Sequence, residues 1–254
     1  MAWGKKCLRA LIFLAVFLTA GAAFAGELKV AGGGAAINTV FKPIAPHFEK
    51  ATGIYLIPFQ STPKDGLVSL LKGSADVATA AVSLQSMING AEKDGLKVDA
   101  GSLQQFEVAT NKTVVFIHPS NPVSRLSKEQ LKGIFTGKIS NWKEVGGPDK
   151  DIVVVWGNNS PGQNALFIKV ILDGAPVMKG ILETTDYFGI KEAVGANAEA
   201  IGIDPLGLAD RTVKVVESPH APSPIIMVTK GAPSASIKKL IDYVKGDGRK
   251  YIKQ

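Results

Sequence analysis

Short apolar runs alternate with stretches of helical period along most of this chain, and glycines and prolines punctuate the joins. Leu28 to Ala31 predicts a strand, Gly32-Gly33-Gly34 its turn, and Ile37 to Thr52 a helix. Gly53 stands just past the last turn, where a left-handed residue closes a helix. Ile54 to Phe59 predicts the next strand, Asp65 to Lys72 a helix stopped by Gly73, and Ala75 to Ala80 a third strand. The same style resumes in mid-chain. Thr113 to His118 reads as a strand, and Asn121-Pro122 as a loop, because the residue before proline is pushed out of the helical region. Ser127 with Gln130 has the spacing of a capping box and predicts a helix to about Phe135, ended at Gly137; Asn141 with Glu144 repeats the device. Ile152 to Trp156 predicts a buried strand and a helix follows Ser160. Strands near 201–203, 213–216 and 225–229, a proline-rich crossing at 219–224 and an amphipathic helix from Ser234 to Lys245 complete the reading.

Strand and helix alternating in this way define an α/β protein whose sheets are mostly parallel and covered by helices. Two such units of similar size are present, without an internal repeat or a linker long enough to separate them. The two crossings imply that the chain enters a second lobe once and returns once. The expected division is residues 26–112 plus 222–254 in one lobe and 113–221 in the other, with a ligand cleft between them.

Lys5, Lys6 and Arg9 precede an apolar run, Leu11 to Leu18, and Ala23-Phe24-Ala25 is a small-x-small site, so residues 1–25 read as a secretory signal peptide cleaved near Ala25. The run is shorter than the roughly 20 residues that a membrane span needs. Cys7 is the sole cysteine and lies within this leader, which excludes disulfides and thiolate chemistry from the mature chain. The leader also takes three of the 29 basic residues and none of the 22 acids, leaving a mild excess of about +4. No basic run is interleaved with aromatics, so no nucleic-acid partner is expected.

Within this frame the stretch from Val115 to Pro122, the segment Leu131 to Gly137, and Lys138-Ile139-Ser140-Asn141-Trp142 followed by Gly146-Gly147-Pro148 resemble the phosphate-binding proteins of ABC importers. Ala200-Ile201-Gly202-Ile203 and Val228-Thr229-Lys230-Gly231 extend the likeness over most of the mature chain. The resemblance implies a type II periplasmic-binding-protein-like fold, a periplasmic monomer, an oxyanion or other small ligand held in the interlobe cleft, and an ABC permease in the inner membrane as partner. It implies no cofactor, no metal and no enzymatic activity. The ligand loops depart from the family. Where the family has hydroxyls this chain has Gly33 and Ala35; where it has an Ala-Ser-Arg-Pro loop this chain has Ala80-Ala81-Val82-Ser83; and Pro161-Gly162-Gln163-Asn164 replaces Ser-Gly-Thr-Arg. Each charge-assisted hydrogen bond lost is about 1.5–3 kcal/mol. The expectation is therefore a less charged ligand or a different oxyanion; a true phosphate carrier, with Lys112, Arg125 or another base supplying the charge, and a ligand sensor that presents the closed scaffold to a membrane partner are the alternatives.

The candidate ligand-binding residues are Gly33, Gly34, Ala35, Thr79, Ala81, Ser160, Gly162, Gln163 and Asn164. Gly32-Gly33-Gly34 lies between strand and helix, where free amides meet an anion or where a tight turn needs glycine. It does not fit a dinucleotide fingerprint, since Ile37 stands in place of the third glycine and no acid follows the second strand. Ser160, Pro161 and Gln163 have the spacing of a further capping box, which accounts for two of them without a ligand. Thr79 can place a hydroxyl at the cleft or simply be a β-branched strand residue. Phe59 and Trp156 sit at strand ends, as cleft lining or core. His47, His118 and His220 lack metal-ligand spacing, and neither a Gly-x-Ser-x-Gly elbow nor a P-loop occurs, so no catalytic residue is assigned.

Overall fold

The computed structural model describes residues 26–253; the leader lies outside them. Strand β1 (Glu27–Gly33) pairs in parallel with β2 (Tyr55–Ser61) on one side and β3 (Val77–Ala80) on the other. Gly32 makes the second contact possible. Its φ is 156°, and a Cβ there would stand 1.8 Å from the Thr79 carbonyl oxygen. Between β1 and β2 one helical run opens as α1 (Gly34–Ala36), widens into a π-helical turn at Ile37–Phe41 and continues as α2 (Lys42–Thr52), closed by Gly53 at φ 71°. Pro43 has no N–H for the carbonyl one turn back, that of Thr39. The Lys253 amide fills the vacancy at 2.9 Å, so the end of the chain is tied to this helix.

Helices α3 (Pro63–Leu71) and α4 (Leu84–Lys93) cover the other face of β3. The pattern Leu84, Met87, Ile88, Ala91 behind the Ser83 cap is a legible helix signal that the sequence reading passed over. In the second half, β5 (Val153–Gly157) lies in parallel between β6 (Leu182–Thr184) and β7 (Ala200–Pro205), with α5 (Lys128–Phe135) and α6 (Pro161–Val170) on one face and α7 (Tyr187–Ala196) on the other. Both capping boxes expected at Ser127/Gln130 and Asn141/Glu144 are formed.

The joins differ from expectation. The chain does not cross in short pieces but in two long antiparallel strands, β4 (Leu103–Ile117) and β8 (Lys214–Lys230), which make one eight-stranded sheet of order β2-β1-β3-β8-β4-β7-β5-β6. Prolines 219, 222 and 224 read as a break, yet β8 runs through them. Their fixed φ suits extended chain, and the register shift between Thr113 and Val115, where the partner jumps from Ala221 to Val216, absorbs the residues around Pro219. Helix α8 (Ala235–Lys245) packs Ile237, Leu240, Ile241 and Val244 into the same core as Leu28, Val30, Phe41 and Phe48, far from it in sequence. Leu240 is fully buried there. Leu240→Ala is expected to lower unfolding stability by about 2–5 kcal/mol in urea melts.

Candidate functional site

Seven of the nine expected residues surround one narrow, partly open cavity of about 30 Å³: Gly33, Gly34, Ala35 and Ala81 from the first half, Ser160, Gly162 and Gln163 from the second. Asn111 and Ser223, partners in the β4–β8 register, and Tyr187 complete its polar wall. No charged side chain of the described residues lines it. Lys112 does not reach it, and Arg125 is ion-paired to Glu217 at 2.6 Å and lines a separate surface depression.

Helix capping singles this place out. Thr62, Ser83, Ser127, Asp186 and Ser234 each accept an amide of the helix they precede. The run that begins at Gly34 and helix α6 have no side-chain cap, and both open onto the cavity from opposite halves. First-turn amides have no intrahelical acceptor and carry the positive end of the helix dipole. The sequence expectation of a capping box at Ser160 is corrected accordingly. Gln163 turns inward, donating Nε2 to the Ile203 carbonyl at 3.0 Å and accepting from Thr113 Oγ1 at 3.4 Å. The Ser160 hydroxyl, in a residue 3% exposed, makes no well-formed hydrogen bond, although it lies beside the Tyr187 phenol.

Two expected residues are elsewhere. Thr79 is fully buried and its Oγ1 donates to the Ile226 carbonyl at 2.8 Å, tying β3 to β8; its β-branched strand role prevails. Asn164 lies behind the first turn of α6, with Nδ2 bound to the Gly157 carbonyl at 2.8 Å, and does not line the cavity. Trp156 belongs to the core with Phe135 and Phe167, while Phe59 is exposed. The motif that carries the family likeness is likewise structural: Trp142 is fully buried with Nε1 donating to the Glu199 carbonyl, and Asn141 caps its turn.

Sequence reasoning missed Asp204 and Tyr187. Asp204 on β7 is fully buried, and neither carboxylate oxygen makes a well-formed hydrogen bond, the Gln163 carboxamide lying beside it without good alignment. Burial drives its pKa well above the carboxylate range; Lys191 and the Gln163 carboxamide offset part of this, and Asp186 adds to it. Lys191 is held instead by Asp210 at 2.8 Å, which keeps the Asp210 carboxyl far below its ordinary range. Tyr187 is pushed up to about 12, foremost by burial, so its phenol stays neutral. The wall of the cavity is thus built of neutral donors and acceptors backed by a buried acid.

The two halves touch across the opening. A Cβ on Gly34 would stand 2.8 Å from the Tyr187 ring, and one on Gly162 would stand 2.5 Å from Val82 Cγ1. Ala35, Tyr187 and Leu208 form a small apolar cluster at the seam.

A sheet shared by two helix-covered halves, with uncapped helix ends facing a polar cavity between them, defines a two-lobed α/β binding protein. The chain belongs to the family described as the PBP superfamily domain, which matches residues 19–247. It is 31% identical over 196 residues to the phosphate-binding protein PstS of Bacillus subtilis, a match covering 69% of this chain and 63% of that protein. The match thus spans less than two thirds of that relative's length. Among solved structures it is similar to a Clostridium perfringens protein assigned as a phosphate ABC transporter substrate-binding protein and solved with bound phosphate, at TM-score 0.75 and 23% identity over 90% of this chain and 99% of that one. An ABC-type phosphate transport receptor of Vibrio cholerae gives TM-score 0.62 and 23% identity over 89% and 96%. At such identity the structural likeness is one of fold.

Asp204 generates a prediction with a definite sign. A carboxyl whose folded pKa is raised keeps its proton while the unfolded chain has lost its own. Its contribution is therefore intact below the ordinary carboxyl range and is lost as pH rises toward the folded pKa. Asp204→Asn removes that penalty. Relative to wild type, the variant is expected to gain about 1.4 kcal/mol per pH unit above pH 4 or so, until Asp204 itself ionises. Urea melts at several pH values check this; a difference that does not change with pH would show that Asp204 is paired in solution.

Proposed function

We propose that this chain is an exported solute-binding protein that closes its two lobes, residues 26–112 plus 222–254 and residues 113–221, on a small polar ligand for delivery to an ABC permease. The observation that carries the reading is the pair of uncapped helix N-termini facing each other across the cavity. A ligand acceptor takes the place of the missing cap in each lobe, and so holds the lobes together. Relatives named as phosphate-binding proteins support the solute-binding role, and no helix of the described residues is long and apolar enough to cross a membrane. The chain is read as a carrier and not an enzyme, acting outside the cytoplasm once residues 1–25 are removed. N-terminal sequencing of the protein recovered from cells is expected to begin at or near Gly26, and retention of Met1 would contradict export.

The ligand is read as neutral or of lower charge than phosphate dianion. An anion in this cavity meets amides, hydroxyls and carboxamides but no cation, and exposed helix dipoles contribute only about 0.3–1 kcal/mol each. Isothermal titration with phosphate at low and moderate salt decides between this reading and a phosphate carrier. Weak, salt-sensitive binding is expected; a tight, stoichiometric and salt-insensitive complex would make phosphate the ligand. Gly162→Leu places a side chain where Val82 already stands. It is expected to lower affinity for whichever ligand co-purifies by at least tenfold while leaving the unfolding midpoint within a few degrees, whereas unchanged affinity would move the site away from this cleft.

A further inference from the structure

The positive charge of this protein is confined to one place. Residues from Lys230 to Lys253 hold seven basic and two acidic side chains, whereas residues 26–229 hold 19 basic and 20 acidic ones. The fold gathers this segment with α2. Helix α8, the Asp247–Tyr251 turn and α2 are packed against one another. Their outer surface presents Lys238, Lys239, Lys245, Arg249, Lys250 and Lys253, joined by Lys42 and Lys50 of α2, all exposed, against two exposed acids, Asp242 and Asp247, on the same elements and Glu107 beside Lys245 and Arg249. The nine salt bridges of the described residues involve none of them. Elsewhere the same structure pairs its lysines readily, as Lys128 and Lys132 share Asp173 at 2.6 and 3.0 Å.

The platform is fixed in shape. His47 of α2 stacks on Tyr251 with ring centroids 3.5 Å apart and planes 3° from parallel, Lys250 Nζ lies 5.2 Å from the same ring, and the Lys253 amide is bound to Thr39. Glu49, the one acid of α2, turns an oxygen to the Leu56 amide at 3.2 Å. The large exposed apolar residues, Tyr55, Phe59, Leu182, Phe188 and Val215, are all on other elements.

We propose that this basic face of the first lobe is an interaction surface for an anionic lipid bilayer, holding the protein reversibly at the membrane with the ligand cavity free. The composition favours a membrane over a folded partner. Seven of the eight cations are lysines, compact point charges suited to a diffuse anionic surface, whereas bidentate recognition of particular groups is the work of arginine. The face also lacks the apolar anchors on which protein interfaces depend, and rows of lysines near anionic headgroups attract without inserting. None of the eight lines the cavity. The membrane as partner rests on the exported reading, but the measurement does not depend on ligand binding.

Co-sedimentation of the chain from Gly26 onward with vesicles tests it, comparing pure phosphatidylcholine with a phosphatidylcholine–phosphatidylglycerol mixture. Binding to the anionic vesicles only is expected, weakening severalfold between about 20 mM and 150 mM salt as the screening length shortens. The triple variant Lys238→Glu, Lys239→Glu, Lys245→Glu is expected to lose at least tenfold in affinity. A control with the same change in net charge, Lys72→Glu, Lys93→Glu, Lys97→Glu at exposed positions on another face, is expected to lose less than threefold. Equal losses in the two variants, or no preference for anionic lipid, would overturn the proposal. So would duplex DNA competing at equal strength through the same three lysines, since the face would then be a general polyanion surface. Circular dichroism melts of both variants keep a folding defect from being mistaken for lost binding.

Discussion

Both halves of the molecule hang on the hydrogen-bonded ladder between β4 and β8. The two strands run antiparallel from Leu103 opposite Lys230 to Ile117 opposite Lys214, and each half of the molecule is built outward from one end of them. β3 joins the ladder on one side and β7 on the other, and through these the parallel strands and their helices are attached. The same pair carries the chain between the halves, so any change in their separation must be absorbed where its register is irregular. Two such places exist, between Glu107 and Ala109 and between Thr113 and Val115. Asn111 and Ser223 lie between them and also line the cavity, which puts the floor of the site on the stretch of backbone that would flex.

The cavity obeys a second constraint, one of electrostatics at low dielectric. A buried ionised group without a partner is far more costly than a neutral one, so groups in such places stay neutral. Asp204 and Tyr187 both follow this rule, and Lys191, whose charge bears on Asp204, is held by Asp210. Charge is kept out of the seam and displayed on the outer surfaces, where water solvates it.

What was legible in the sequence was what local chemistry decides. Gly53, the boxes at Ser127 and Asn141, and the apolar runs of β1, β3, β5 and β7 are fixed by neighbours within a few residues. Ser160 and Gln163 have the spacing of those boxes but not the outcome, because Gln163 finds bonds to Ile203 and Thr113, 40 and 50 residues away. The length of β8 was hidden for the same reason: its three prolines are a local signal for a break, and only the pairing with β4 shows that the strand continues. Asp204 gave no signal at all. An acid after Ala-Ile-Gly-Ile looks like any strand end, and the lack of a well-formed hydrogen bond becomes visible only when the surrounding elements are in place.

The sequence likeness rests in part on residues that pack the second lobe, Trp142 among them, whereas the cavity is lined to a large extent by glycines, alanines and main-chain groups. On the proposed reading the ligand is gripped by main-chain amides, and substitution cannot remove an N–H short of introducing proline, so the loops at Gly34 and Gly162 could change side chains without losing those donors. If the proposed function holds, such a scaffold could exchange one ligand for another through a few replacements at the rim while every intermediate kept its main-chain donors.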